Sequence, residues 1–419
     1  QGIATPGDVL ARIFVRRGLH LNTYNAFQSI IRGGHIFLTL RVSDREIYSH
    51  GDKLDLLVCL NQDTMDRHLG LMGSGSRVVF NRDTVSAGPE GEGVQLCPLP
   101  VAELTRSTNK LVQNTVGVGA ILALMGLDFQ VLEDSLTLRF QRQGQAVVDE
   151  NVGVAHAGYD YAKANFEVFP FEVPTGPKPL AIWSGNEAMA MGAAAAGVKF
   201  YAAYPMSPAT GILHSMAQNA RNLGIMVRQA EDEIAVANMV IGAAHAGCRA
   251  MCATSGGGFA LMTEAIGAAG MMEIPAVFIN VQRAGPSTGV PTKTEQGDLW
   301  QMLGASQGDF ERFIVAPKDA LDAFNTMPEL FNLTDKYQCP GLVASDLLIS
   351  EGRYSVDPDQ INMKPRIDRG ELIIEPSSTN GYLRYKDTES GVSPRALPGL
   401  EGHVHVAATD EHDEDSTLI

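Results

Sequence analysis

The chain has 419 residues, 45% of them hydrophobic and 19% charged, with a formal net charge of −16. That length suggests two or three domains, and that apolar content is enough for packed cores. An acidic chain with no basic run excludes duplex nucleic acid and anionic membrane as partners, and neither a signal peptide nor an apolar run of spanning length is expected.

Residues 1–169 read as a first α/β unit. QGIATPGDVLARIF is a turn and a helix; the strand that should precede that helix is missing, so the start is expected to be truncated. Strands follow at 35–42 (HIFLTLRV), 54–60 (LDLLVCL) and 77–80 (RVVF), with helices near 110–125 and 145–165. The pattern is doubly wound α/β. Arg32, Gly33 and Gly34 read first as a glycine turn closed by a salt bridge. Residues 170–180 form a stiff extended linker and the clearest boundary in the chain, since 169–180 (FPFEVPTGPKPL) carries four prolines.

The second domain, 181–350, opens on GNEAMAMGAAAAG, a helix beginning near Asn186. A strand at 198–203 ends at Pro205 and Pro208, which force a turn. Ser207 in that turn either caps the helix 209–223 or faces a ligand. After a short strand at 225–228, Glu231, Asp232 and Glu233 open a helix reaching about 246. That helix is apolar nearly all round, hence buried, and a carboxylate at its mouth is expected to be partly desolvated and functional. Glu231 is the preferred acid; Glu233 is the alternative, pointing about 200° away round the helix.

A strand at 249–254 runs into Ser255-Gly256-Gly257-Gly258, a turn leading to a helix at 259–270 and presenting backbone N–H groups to an anion or a ring. Neither nucleotide-binding glycine fingerprint is present. The apolar strand 275–282 delivers Arg283 at its end, followed by the loop AGPSTGVPT. An arginine there can grip a carboxylate through two parallel hydrogen bonds, or serve a structural ion pair. A helix at 296–306, a strand at 313–316, a helix at 318–337 kinked or split by Pro328, and a strand at 341–345 complete an open parallel sheet with its site on the strand ends.

Residues 351–419 form an extended, polar, proline-spaced segment with an acidic end that leads toward a further domain. His403, His405, Asp410 and His412 within it are read as a solvated loop rather than a metal site. Cys59, Cys97, Cys248, Cys252 and Cys339 are scattered and read as buried reduced thiols.

YPMSPAT, QAEDEIA, TSGGGF and QRAGPSTGVPT, in that order, resemble the pyrimidine-binding domain of the 2-oxoacid:ferredoxin oxidoreductases. The resemblance is to alpha subunits with the gamma domain fused in front, and QGIATPG with SIIRGGHIFLTLRVS resembles that gamma domain. Met206 and Ser207 stand where the family has Ile and Thr, and Gly257 where it usually has Pro. The resemblance implies two doubly wound α/β domains, the second a thiamine-diphosphate-binding, pyrimidine-type parallel sheet. Glu231 would bond the pyrimidine ring, and Tyr204, Pro205, Gly256 and Gly257 would line the cofactor. Arg283, Ser207 and Thr288 would hold the substrate. Arg32, Gly33 and Gly34 would lie near a coenzyme A phosphate or a neighbouring subunit.

The chain has no G-D-G motif and no cluster cysteines. By the same resemblance, Mg2+, the diphosphate half of the site and an iron–sulfur cluster belong to a beta subunit in an (αβ)2 heterotetramer. Ferredoxin takes the electrons, coenzyme A takes the acyl group, and the enzyme is cytoplasmic. The implied reaction is oxidative decarboxylation of a 2-oxoacid, 2-oxoglutarate for preference, with pyruvate and broad specificity open. The other readings are a non-redox thiamine enzyme of transketolase or synthase type, a non-catalytic scaffold subunit, and a cysteine-dependent acyl transferase using Cys248 or Cys252. The family usually continues past a DEH-type segment into another α/β domain; either the chain stops early or this member lacks that domain.

Overall fold

The computed structural model describes residues 3–28, 34–86, 93–107, 109–379 and 381–418. Arg32 and Gly33 lie outside the described residues. The chain divides into two compact units, one of Gln1–Ile182 with Arg353–Pro358, the other of Trp183–Gly352 with Asp359–Ile419.

The first unit begins with α1 (Ala4–Arg16), β1 (His20–Ala26), β2 (Phe37–Ser43), β3 (Leu54–Cys59), α2 (Gln62–His68), β4 (Met72–Asn81) and β5 (Gln95–Leu99). Four helices follow: α3 (Val101–Leu104), α4 (Lys110–Leu124), α5 (Phe129–Phe140) and α6 (Gln145–Asn165). Strands β3, β4 and β5 make a parallel sheet. A second sheet, in the order β2-β1-β13-β6, has β6 at Ala181–Ser184 and β13 at Arg353–Val356, with β1 antiparallel to both β2 and β13. Its antiparallel half was not visible in the pattern, because His20, Asn22, Thr23 and Asn25 dilute the apolar alternation of β1. Helices α4 and α6 touch backbone to backbone: a methyl on Gly119 would overlap the Ala155 carbonyl, and one on Gly158 the Val116 carbonyl. The proline-rich linker is tied down rather than free, with Gly176 N–H bonded to the Arg17 carbonyl and the Arg17 side chain donating to the carbonyls of Val173 and Pro174.

The second unit contains α7 (Gly185–Ala195), β7 (Phe200–Ala203), α8 (Thr210–Leu223), β8 (Met226–Gln229), α9 (Glu233–His245), β9 (Ala250–Thr254) and α10 (Gly256–Met271). It continues with β10 (Val277–Gln282), α11 (Leu299–Leu303), β11 (Phe313–Val315), α12 (Ala320–Tyr337), β12 (Gly341–Asp346) and α13 (Leu347–Glu351). The six strands form one parallel sheet in the order β11-β12-β10-β9-β7-β8. Every residue of β9 and of β10 is buried, as central parallel strands require. Val236, Val240, Phe259, Met262, Ile266 and Phe278 are the heart of its core.

Several elements depart from the pattern-based expectations. The three glycines 256–258 are the first turn of α10, not a loop before it. The helix expected at 296–306 is only Leu299–Leu303, bracketed by Gly297 and Gly304. Helix α12 runs unbroken through Pro328. A proline leaves the carbonyl four residues earlier without its helical donor. That carbonyl, on Phe324, lies against Gly192 of α7, where a methyl would overlap it. The close approach of the two helices therefore covers the freed carbonyl.

Residues 359–418 are mostly irregular, with two short strands, β14 (Leu372–Ile373) and β15 (Arg395–Ala396), paired in parallel. Asp335 of α12, buried, accepts Arg249 at 2.8 Å and Arg395 at 3.4 Å and forms an ion pair with Arg369 at 2.8 Å. Burial pushes the Arg395 guanidinium down to about 10, an effect that Asp335 opposes. Of the histidines of this segment His403 is buried and His405 and His412 are partly exposed; the rings of His403 and His405 meet Tyr382 edge-on, and His412 lies 3.7 Å from the Tyr385 ring centre. Aromatic packing contributes to their environment.

Gly192→Ala should destabilise the second unit by about 1–3 kcal/mol, as overpacking does. Denaturant unfolding monitored by circular dichroism checks this.

Candidate active site

In a parallel sheet all strand ends of one kind share one edge, and ligands bind where neighbouring connections leave in opposite directions. Here that point lies between β7, whose chain proceeds to β8 on one side, and β9 on the other. The turn after β7 carries Tyr204, Pro205, Met206 and Ser207, and β9 ends in Thr254, followed by Ser255 at the start of α10. The two ends touch, with the Thr254 hydroxyl donating to the Met206 sulfur at 3.7 Å.

Arg283 leaves the end of β10, next to β9. Its Nη1 donates to the Ser207 carbonyl at 2.6 Å and its Nη2 to the Thr288 carbonyl at 3.2 Å. Burial lowers its pKa from the ordinary arginine value, and the Asp298 carboxylate opposes that shift. Arg283, Ser207 and Thr288 are thus brought together, with Ser207 and Thr288 engaged through backbone rather than hydroxyl. The side chain of Ser207 is not a cap; the N-cap of α8 is Ala209, and among the described residues it has no side-chain cap bond.

The acidic triplet divides differently from expectation. Glu231 is exposed and lies before the helix. Asp232 is the N-cap of α9 and accepts from the Ala235 N–H at 2.8 Å. Its φ of 59° and ψ of 161° fall in a region that is almost glycine-only, a strain of about 1–3 kcal/mol. Glu233 begins α9, is only 3% exposed, and its Oε1 has no hydrogen-bond partner among the described residues. The desolvation anticipated for Glu231 therefore falls on Glu233, because the tight turn at Asp232 sends residue 233 inward.

Each glycine of the α10 first turn faces a different neighbour. A methyl on Gly256 would come 2.6 Å from Asp298 Oδ2, and one on Gly257 would lie 3.8 Å from the Ser287 carbonyl. A methyl on Gly258 would overlap the Thr254 hydroxyl and come 2.6 Å from Glu233 Oε1. The helix start thus gathers the buried acid, the Arg283 loop and Asp298. Tyr204 is half-buried and Pro205 exposed at the neighbouring strand end.

Pattern reading missed several buried polar groups here. Asn280 Nδ2 donates to Asp298 Oδ2 at 3.0 Å, Asp298 N–H donates to Gln282 Oε1 at 3.0 Å, and Gln296 Nε2 donates to Asp346 Oδ2 at 2.6 Å. These bonds tie the loop after Arg283 back to the sheet edge. Ser255 Oγ, Asn280 Oδ1 and Thr292 Oγ1 are buried without partners among the described residues. Their signal was available: Asn280 and Gln282 are polar residues on alternate positions of an otherwise apolar strand. Cys252, by contrast, is excluded as a nucleophile, since it is fully buried against the Met262 sulfur and burial raises its thiol far above the ordinary value.

An unsatisfied buried acid, a glycine turn and an arginine held by two carbonyls thus share one sheet edge. Residues 191–416 match the family described as pyruvate flavodoxin/ferredoxin oxidoreductase, thiamine diphosphate-binding, and residues 1–161 match pyruvate ferredoxin/flavodoxin oxidoreductase. The solved 2-oxoglutarate:ferredoxin oxidoreductase of Magnetococcus marinus, with 2-oxoglutarate, coenzyme A and succinyl-CoA bound, superposes with a TM-score of 0.91 at 32% identity, covering 100% of this chain and 73% of that one. The 2-oxoacid:ferredoxin oxidoreductase alpha subunit of Sulfolobus is 29% identical over 100% of this chain and 73% of its own. The 2-oxoglutarate synthase subunit KorA of Methanothermobacter thermautotrophicus is 41% identical over 55% of this chain and 60% of its own. The chain belongs to the pyruvate flavodoxin/ferredoxin oxidoreductase family, among the alpha subunits of the 2-oxoacid:ferredoxin oxidoreductases.

Asp232→Ala, which loses the cap and keeps the strain, should cost at least about 1 kcal/mol more stability than Asp232→Gly, which relieves it. Paired denaturant melts of the two variants test this.

Proposed function

We propose that this chain supplies the pyrimidine half of a thiamine diphosphate site and the substrate-carboxylate grip for oxidative decarboxylation of 2-oxoglutarate. The observation that carries the reading is Glu233, a buried acid whose free oxygen lies beside the glycine turn of α10. A buried carboxylate oxygen with no donor is costly, and a ligand nitrogen is the natural partner for it.

The residues fit the cofactor. Glu233 would take the ring nitrogen of the pyrimidine and favour the tautomer that can remove a proton, in place of the more exposed Glu231. Of the three glycines, Gly257 leaves open space for a flat ring, while the space over Gly256 is taken by Asp298 and that over Gly258 by Thr254 and Glu233; Tyr204 and Pro205 border the same edge. When bound, thiamine diphosphate supplies the electron sink for the charge released as the carboxylate–ketone bond breaks. Arg283, held by two carbonyls, keeps N–H groups for the substrate carboxylate, with Ser207 and Thr288 fixing its orientation.

The choice of 2-oxoglutarate rests on the names of the Methanothermobacter relative and the Magnetococcus structure. Mg2+, the diphosphate contacts and an iron–sulfur cluster are assigned to a beta subunit, with ferredoxin as acceptor, coenzyme A as acyl acceptor, an (αβ)2 assembly and a cytoplasmic setting. Exposed apolar side chains near the site support a partner chain. Ile234, Met239, Leu261, Leu299 and Leu303 are each about half exposed, and Trp300 is 84% exposed. Such a patch on an otherwise acidic chain suits a protein interface. No helix among the described residues is long and apolar enough to cross a membrane.

With the beta partner present, Glu233→Gln should lower turnover at least about 100-fold and stop exchange of the thiamine C2 proton, whereas Glu231→Gln should stay within a few-fold of the parent. The reverse result would return the role to Glu231. Faster turnover of pyruvate than of 2-oxoglutarate in the same assay would overturn the substrate assignment. Trp300→Glu should abolish copurification with the beta partner while leaving the isolated chain folded, read by size-exclusion chromatography and circular dichroism.

A further inference from the structure

We propose that Asn186 is a positioning residue for Arg283, acting through the Ser207–Pro208 turn. The proposal rests on the reading that Arg283 receives the substrate carboxylate.

Asn186 is the second residue of α7 and is only 2% exposed. Its Nδ2 donates to the Pro208 carbonyl at 2.9 Å and to the Glu351 carboxylate at 3.3 Å. Both amide hydrogens meet acceptors, so chemistry settles the orientation: the flipped amide would set an oxygen against two oxygens. The Pro208 carbonyl follows directly on the Ser207 carbonyl, which accepts Arg283 Nη1 at 2.6 Å. One peptide is thus held by Asn186 while its neighbour holds the guanidinium.

The turn needs such an anchor. Among the described residues, helix α8 after it has no side-chain cap bond at its start. Gly211, in the first turn of α8, lies so close that a methyl there would come 2.5 Å from Asn186 Nδ2. Only glycine lets α8 approach the amide at this point. Glu351 ends α13, which follows β12, so the contact also joins the β12 side of the sheet to the β7 turn. A guanidinium presents its donors in a fixed fork. A small displacement of the Ser207 carbonyl therefore tilts the whole fork away from the substrate carboxylate, and displacements of about 1 Å are costly at reacting centres.

The test is steady-state kinetics on the enzyme assembled with its beta partner. Asn186→Asp keeps the side-chain shape but turns an oxygen toward Pro208 and Glu351. It should raise KM for the 2-oxoacid about tenfold while KM for coenzyme A stays unchanged. Gly211→Ala pushes on the same amide from the other residue, should show the same split, and carries the test if Asn186→Asp does not fold. A general structural defect would move both KM values together or lower kcat alone, and either pattern would overturn the proposal. Arg283→Lys separates the two levels of argument. If it leaves KM for the 2-oxoacid unchanged, the reading of Arg283 fails and the positioning role with it. If it raises that KM while Asn186→Asp and Gly211→Ala do not, the positioning role alone is overturned.

Discussion

A carboxylate taken out of water with one oxygen unmatched is the constraint around which the second unit is built. Burying such a group without a partner costs several kcal/mol, and proteins usually avoid it. Here it is enforced by neighbours. Asp232 accepts a strained backbone to turn Glu233 inward, and Gly258 leaves the space that a side chain would fill. Alternating strand and helix then provide the rest, because a parallel sheet collects its turns on one edge. Strain and unsatisfied polarity are thus concentrated at one place in the unit.

The arginine at the end of β10 is organised by different means. Its hydrogen-bond partners are carbonyls, not acids, so among the described residues its charge is not consumed by a structural ion pair. Asp298 influences it electrostatically while being bonded to Asn280 and, through its N–H, to Gln282. The loop between Arg283 and Asp298 is therefore fixed at both ends by polar groups rooted in the sheet, which makes the edge rigid where a loop would ordinarily be loose.

Much of this was legible in the sequence. The strand-to-helix rhythm of residues 198–346 gave the parallel sheet, and Arg283, Ser207 and the glycine turn were found as the residues at its junctions. What escaped had identifiable causes. The choice between Glu231 and Glu233 depends on a backbone conformation that aspartate rarely adopts, so helical phase counted from residue 231 pointed the wrong acid inward. The helix is not split at Pro328, and the glycine packed over its freed carbonyl lies on another helix, more than a hundred residues earlier in the chain, where spacing could not show it. The antiparallel sheet of the first unit needs β13, which returns from residue 353 and leaves no local trace near β1. The burial of His403 was not visible because its tyrosine partner could not be matched to it by spacing alone.

The shared carboxylate of Asp335 bears on where the chain can be divided. Its three guanidiniums come from the entry to a central strand and from two points in the irregular segment beyond residue 359. Loss of Asp335 would leave three guanidiniums facing each other without a counter-charge, two of them buried. The helix that carries Asp335 and the segment that carries Arg369 and Arg395 are thus joined by charge. A splice made near residue 350, where the regular elements end, would cut an electrostatic knot, not a hinge.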